Sequence, residues 1–203
     1  MLCGFRSTSA NGTGSISLDY ETMERKKSCV HEAAHAVASR KNGFPVRWVS
    51  VDPHFIKNDP TAIEKEISTG HPVCMTIASH VLLPIFSKKH MLNKSDKNVV
   101  FKYGVQVMAG PLAEFRFNPE TYDFAMAGCD INQISHVLAM AIPAISARKN
   151  FYRVIRRAAK KLVISCWPQI IHLAGQLDAR HTIHEGEIDA IIAECPVRLN
   201  MGY

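Results

Sequence analysis

Apolar and small residues recur at helical spacing along "YETMERKKSCVHEAAHAVASRK", which predicts one long helix with Asp19 as its N-cap. Gly43 and Pro45 in "NGFP" stop it. In "VRWVSVDP" (46–53), Val and Trp alternate with Arg and Ser, the pattern of a strand that ends at Pro53. Residues 54–72 are polar and contain Pro60, Gly70 and Pro72, so they read as loop with room for one short strand. Across 73–93 the helical spacing of Ile77, Val81, Leu82 and Ile85 is interrupted by Pro84, and no single element fits.

A clearer helix starts after Ser95 or Asp96, carries Val99, Val100, Tyr103, Val107 and Leu112, and reaches Phe117. Residues 118–130 connect it to "INQISHVLAMAIPAISA", which Asp130 opens or enters. Residues 149–177 hold a strong helical pattern around Pro168. There Lys149, Arg153, Arg156, Arg157, Lys160 and Lys161 share a face opposite Phe151, Val154, Ile155, Ala158 and Leu162. Thr182 and Glu185 form a capping-box pattern for a last helix through Ala193. The fold class expected is mainly α (α+β): a helical domain with a small β-sheet packed near the first helix.

Composition bounds this picture. With 203 residues, 47% of them hydrophobic, the chain can bury the core of one domain, expected over 19–203 behind a flexible tail at 1–18. The start has no apolar stretch long enough for a signal peptide. The longest mostly apolar run, "VCMTIASHVLLPIF" (73–86), is too short to span a bilayer, so no membrane insertion is expected. Six cysteines lie singly, with no C-x-x-C pair, as reduced thiols in a cytoplasm would. The net charge of +6 does not by itself choose a partner.

The candidate chemistry lies in the first helix, where "SCVHEAAHAVA" contains His31-Glu32-x-x-His35. Side chains four apart lie one above the other on a helix, so both imidazoles can converge on one zinc ion. Glu32 is turned away by one residue, placed to act as general base on a zinc-activated water rather than as a ligand. The result is peptide-bond hydrolysis. Val30, Ala33, Ala34, Ala36, Val37 and Ala38 make the stretch buried on most sides, and buried histidines and a glutamate need partners that a metal can supply. A catalytic zinc takes a third protein ligand. The metzincin pattern would put glycine and histidine where Ala38 and Lys41 stand, so that class is excluded. Glu64, Glu66, Glu114, Asp123, Asp130 and His136 remain as candidates, and spacing does not choose among them.

Five stretches, in order, resemble the peptidase domain of the FtsH-type, AAA+-linked zinc metalloproteases. "VHEAAHAVA" looks like that family's HEAGHA helix, with Ala34 for glycine, and "VRWVSVDP" resembles the strand after it. "VQVMAGPLAEFRF" (105–117) is similar to the GGRAAEE helix, with Pro111 for arginine and Phe115 for the second glutamate. "AGCDINQISHVLAMA" (127–141) resembles the GAxNDLxxAT segment, and 159–188 resembles the closing pair of helices. The resemblance implies that His31 and His35 are zinc ligands, Glu32 the catalytic base, Asp130 the third ligand, and Glu114 a carboxylate supporting the ligands. It also implies that a strand near the active helix pairs with substrate, which "ISTGHPV" (67–73) or its neighbour would supply.

The 203 residues contain no G-x-x-x-x-G-K-[ST] phosphate loop. The expectation is a stand-alone, soluble, ATP-independent zinc metalloendopeptidase. It would act on peptides, unfolded protein or proteins presented by a separate ATPase or other partner, and the family's oligomers make self-assembly an open expectation. Two other readings compete: a catalytically degenerate adaptor or binding module, and a basic nucleic-acid-binding protein. The intact triplet disfavours the first, and the lack of aromatics interleaved with the basic stripe disfavours the second. Cys29 and Cys129 flank His31 and Asp130 and read as alternative ligands, redox-sensitive thiols or small buried residues.

Overall fold

The computed structural model describes residues 13–58, 73–76, 92–120, 122 and 128–195. In chain order the elements are α1 (Thr13–Asn42), β1 (Val46–Ser50), α2 (Pro53–Asn58), β2 (Val73–Thr76), α3 (Lys94–Phe117), α4 (Gly128–Ala141), α5 (Ile145–Ser165), α6 (Trp167–Arg180), β3 (Thr182–His184) and α7 (Glu185–Glu194). The chain is therefore mainly helical with one small sheet, as the apolar pattern predicts.

Helix α1 begins at Thr13, so Asp19 lies inside it rather than capping it; residues 13–18 of the expected tail are helical, and residues 1–12 lie outside the described residues. No proline interrupts residues 13–42, and extending an existing helix adds a hydrogen bond per residue at less cost than starting one. At the other end the expected stop holds. The Phe44 N–H donates to the Ser39 carbonyl at 2.9 Å and the Gly43 N–H to the Arg40 carbonyl at 3.1 Å, the paired bonds of a Schellman motif. Gly43 sits at φ 81°, a conformation that a side chain would strain.

Strand β1 is central in an antiparallel sheet of order β2-β1-β3, with Val49 opposite Cys74 on one side and Ile183 on the other. β2, whose partner among the described residues is β1, forms an edge. It occupies the start of the segment that no single element fitted, and the proposed pairing stretch 67–73 lies outside the described residues up to Val73.

Several boundaries move for local reasons. Helix α3 starts at Lys94 because Asn93 is its N-cap: the Asn93 side chain accepts the Asp96 N–H at 2.9 Å and Asp96 accepts the Asn93 N–H at 3.3 Å. Asp96 is thus the third residue of the cap box and not the cap. The run expected to continue from Asp130 to Ala147 stops at Ala141, just before Pro143, and α5 opens at Ile145. The pattern at 149–177 is two helices, because Pro168 sits in the first turn of α6, where its missing N–H costs nothing. At α7 the cap box is His184 with Glu187, whose carboxylate accepts the His184 N–H at 3.2 Å. Thr182 is drawn instead into β3, its hydroxyl 2.7 Å from that of Ser50.

Two apolar clusters meet at Leu112 of α3 and Leu162 of α5, which pack against both. One joins α1 to β1, α6 and α7 through residues such as Val37, Val49, Ile170, Leu177 and Ile188; the other joins α3, α4 and α5 through Val100, Ile134, Leu138 and Ile155. The six basic residues of the stripe from Lys149 to Lys161 are exposed as expected, and Ile155, Ala159 and Val163 mark the buried stripe of α5. Val154 departs from expectation: it lies at the margin of that stripe and is 51% exposed. Trp48 is buried against Phe55, their rings 5.2 Å apart, and Trp167 packs on the first cluster, so both are structural. Among the described residues no helix is long and apolar enough to cross a membrane.

Candidate metal centre

Helix α1 can lie close against α3 because the facing residues are small: Ala33, Ala34, Ala109 and Ala113 are fully buried. His31 and His35 emerge from α1 into this contact, and Asp130 enters it from the first turn of α4. The Nε2 atoms of the two histidines are 3.0 Å apart. Asp130 Oδ2 is 3.0 Å from His31 Nε2 and 3.6 Å from His35 Nε2.

Tetrahedral zinc with bonds of about 2.0–2.1 Å separates its ligand atoms by roughly 3.3–3.4 Å. The three separations of the triad bracket that value, and these are the residues whose donor atoms converge among the described residues. The backs of both rings are also held. His31 Nδ1 lies 3.0 Å from Glu114 Oε2, and His35 Nδ1 lies 3.0 Å from the Gln106 carbonyl oxygen. Each acceptor calls for a proton on Nδ1, which leaves the Nε2 lone pair facing Asp130. The other Glu114 oxygen is 3.8 Å from the buried Lys27 ammonium, which fixes the carboxylate in turn.

Gly110 closes the remaining side. A Cβ built on it would stand 2.5 Å from His35 Nε2 and 2.6 Å from His31 Nε2, so the space in front of the ligand atoms exists because this residue has no side chain. The residues present therefore fit a zinc ion in donor type, spacing and tautomer.

Of the six candidates for the third ligand, Asp130 joins the triad and Glu114 supports it, while His136 is exposed on α4. Glu64, Glu66 and Asp123 lie outside the described residues. Glu32 is buried beside the pair, and its charge acts on both imidazoles. Cys29 is buried, and burial, with the charge of Asp178, pushes its thiol up to about 12; it is not among the residues whose donor atoms converge, and Cys129 is exposed. Gly110, Gln106 and Lys27 went unmarked in the sequence. A glycine inside an otherwise good helix was the one available sign.

No family model matches the chain, and no curated protein matches it. The site is thus read from its own geometry.

Without metal the cluster holds protons. Burial would depress His31, but hydrogen bonds to Asp130 and Glu114 and the charge of Glu32 outweigh it and raise the imidazole from 6.5 to about 10. His35 is also raised: burial opposes this, Asp130 and Glu32 favour it, and His31 works against it. Burial would raise Asp130, yet both histidines hold its carboxyl well below the usual range. A raised imidazole stabilises the metal-free fold fully below pH 6.5, and that contribution is lost as pH climbs to about 10. A zinc ion taken up at the triad would have to displace those protons. Thermal melts with and without zinc should therefore show a stabilisation by metal that grows from pH 6.5 upward, and a flat or falling increment would contradict this protonation scheme.

Replacing Glu114 by alanine removes the acceptor that orients His31. We expect zinc affinity to fall by roughly 10- to 100-fold with the triad intact, measured by competition with a chromophoric chelator. Unchanged affinity would relieve Glu114 of the supporting role.

Proposed function

We propose that this chain is a zinc-dependent metallopeptidase, with His31, His35 and Asp130 as the metal ligands and Glu32 as the general base. The observation that carries this reading is the convergence of two backed imidazoles and one carboxylate within 4.8 Å of one another, with Glu32 buried alongside. Zinc held there would polarise the scissile carbonyl and bring the pKa of a water to about 7. Glu32 follows His31 directly and is turned about 100° around the helix, so it approaches the same space without joining the ligands. Its carboxylate takes a proton from the attacking water and returns it to the departing amine. Glu114 and the Gln106 carbonyl keep the imidazole tautomers fixed throughout. Among the described residues β2 is an edge strand, a place where an extended peptide could add by backbone pairing.

The ordered resemblance to FtsH-type peptidases supports the same roles. On this reading the substrates are peptides, unfolded segments or proteins delivered by a separate partner, in a reducing compartment such as the cytoplasm, where the free thiols are stable.

The test combines metal content with hydrolysis. Purified chain is expected to hold about one zinc and to cleave casein or a fluorogenic peptide, with both properties lost in Asp130→Ala. A wild type that binds zinc but cleaves no peptide, even with candidate ATPases added, overturns the peptidase reading. An Asp130→Ala variant that binds zinc normally overturns the third ligand.

A further inference from the structure

The last two turns of α3 and the exposed side of α5 enclose a groove of about 500 Å³. Its cations are Arg116 from α3 and Arg153, Arg156, Arg157 and Lys160 from α5, and among the described residues no acidic side chain lines it. Arg116 lies over the Trp167 ring at 4.7 Å, and Arg153 donates to the Asn150 side chain at 3.3 Å. Among the described residues no carboxylate forms a salt bridge with any of the five. Five positive charges so close together repel one another, a cost that a bound anion would offset.

The groove is also apolar. Phe115 and Ile164 line it and are each 50% exposed, which is uncommon for large hydrophobic side chains set among cations. One of its lining residues adjoins, in sequence, a residue that backs the metal centre. Phe115 follows Glu114, the residue that holds His31, and its ring meets that of Tyr122 edge-on at 5.4 Å. Tyr122 in turn feels the charges of Glu114 and Asp130 as well as that of Arg156.

We propose that this groove docks an acidic peptide segment, with carboxylates alternating with apolar side chains. Guanidinium forks pair with carboxylates in two-point fashion, and the exposed Phe115 and Ile164 receive the apolar side chains between them. A nucleic acid would satisfy the cations but not the aliphatic surface, and among the described residues Phe115 is the one aromatic ring lining the groove, too few for a stacking platform. That the segment belongs to a substrate rests on the peptidase reading; that it binds here does not.

The experiment measures binding apart from cleavage. Zinc-loaded Glu32→Gln protein is titrated with a fluorescein-labelled peptide of alternating Glu and Leu, a Lys-Leu counterpart, a single-stranded oligonucleotide of equal charge, and phosphatidylserine vesicles. The Glu-Leu peptide is expected to bind best. Its affinity should fall with added salt and drop at least about tenfold in Arg156→Glu/Arg157→Glu, while zinc content stays unchanged. Since both positions are exposed, circular dichroism checks the fold, and Arg156→Gln/Arg157→Gln gives a milder variant that should lose affinity in the same direction. Equal binding by the charge-reversed and parent proteins, or tighter binding of oligonucleotide or vesicle than of peptide, overturns the proposal. Peptide binding that maps to the groove without cleavage by the wild type sustains the groove and sinks the peptidase reading instead.

Discussion

Glu32→Gln is expected to keep its zinc and lose peptide cleavage, with kcat reduced roughly a hundredfold to ten-thousandfold. The substitution preserves volume in a position only 6% exposed, so the packing of α1 against α3 survives it. What disappears is a group able to accept a proton. Metal binding should survive for a second reason: the Glu32 charge helps raise both imidazoles, and without it their Nε2 atoms give up protons more readily. The check is single-turnover cleavage of a fluorogenic peptide alongside metal analysis of the same sample. Cleavage within threefold of wild type would show that another group moves the proton. Loss of zinc would mean that Glu32 holds the site together rather than acting on substrate.

The parts of this centre that were legible in the sequence are those set by local geometry. His31 and His35 are one helical turn apart, so their convergence follows from the helix alone. Asp130 is different. It enters from α4, about a hundred residues along the chain, and spacing could not separate it from five rivals; the ordered resemblance to a family singled it out, and the donor distances agree. Glu114 was marked in the same way. Gln106 contributes a backbone carbonyl, which leaves no trace in residue chemistry, and Gly110 contributes the absence of a side chain, signalled only by a glycine within a helical run.

The fold divides along similar lines. Periodicity located the helices because each buries a continuous stripe, such as Ile155, Ala159 and Val163 on α5. Boundaries moved where two local signals competed for one residue. Thr182 could cap a helix or pair in a strand, and tertiary contact with Ser50 decided for the strand. Pro168 could break a helix or begin one, and with Cys166 ending α5 it begins α6.

Gly110→Ala is expected to abolish zinc binding while leaving the helices in place. The added methyl carbon would stand 2.5 and 2.6 Å from the two Nε2 atoms, closer than nonbonded atoms approach, in the space where those atoms face a metal. Parting the helices would open gaps around Ala34, Ala109 and Ala113, which are fully buried, and so lose packing. The histidines are therefore the groups that must move, and turning either ring breaks its bond to Glu114 or to the Gln106 carbonyl. Within α3 itself, alanine favours the helix over glycine by about 1 kcal/mol, which partly offsets an overpacking cost of about 1–3 kcal/mol. The metal-free variant should thus melt within a few degrees of metal-free wild type, yet gain no stability from added zinc. Competition with a chromophoric chelator reads the affinity directly, and circular dichroism confirms the helices. If Gly110→Ala bound one zinc as tightly as wild type, the metal would have to sit away from the two Nε2 atoms, and the assignment of His31 and His35 as its ligands would fall with it.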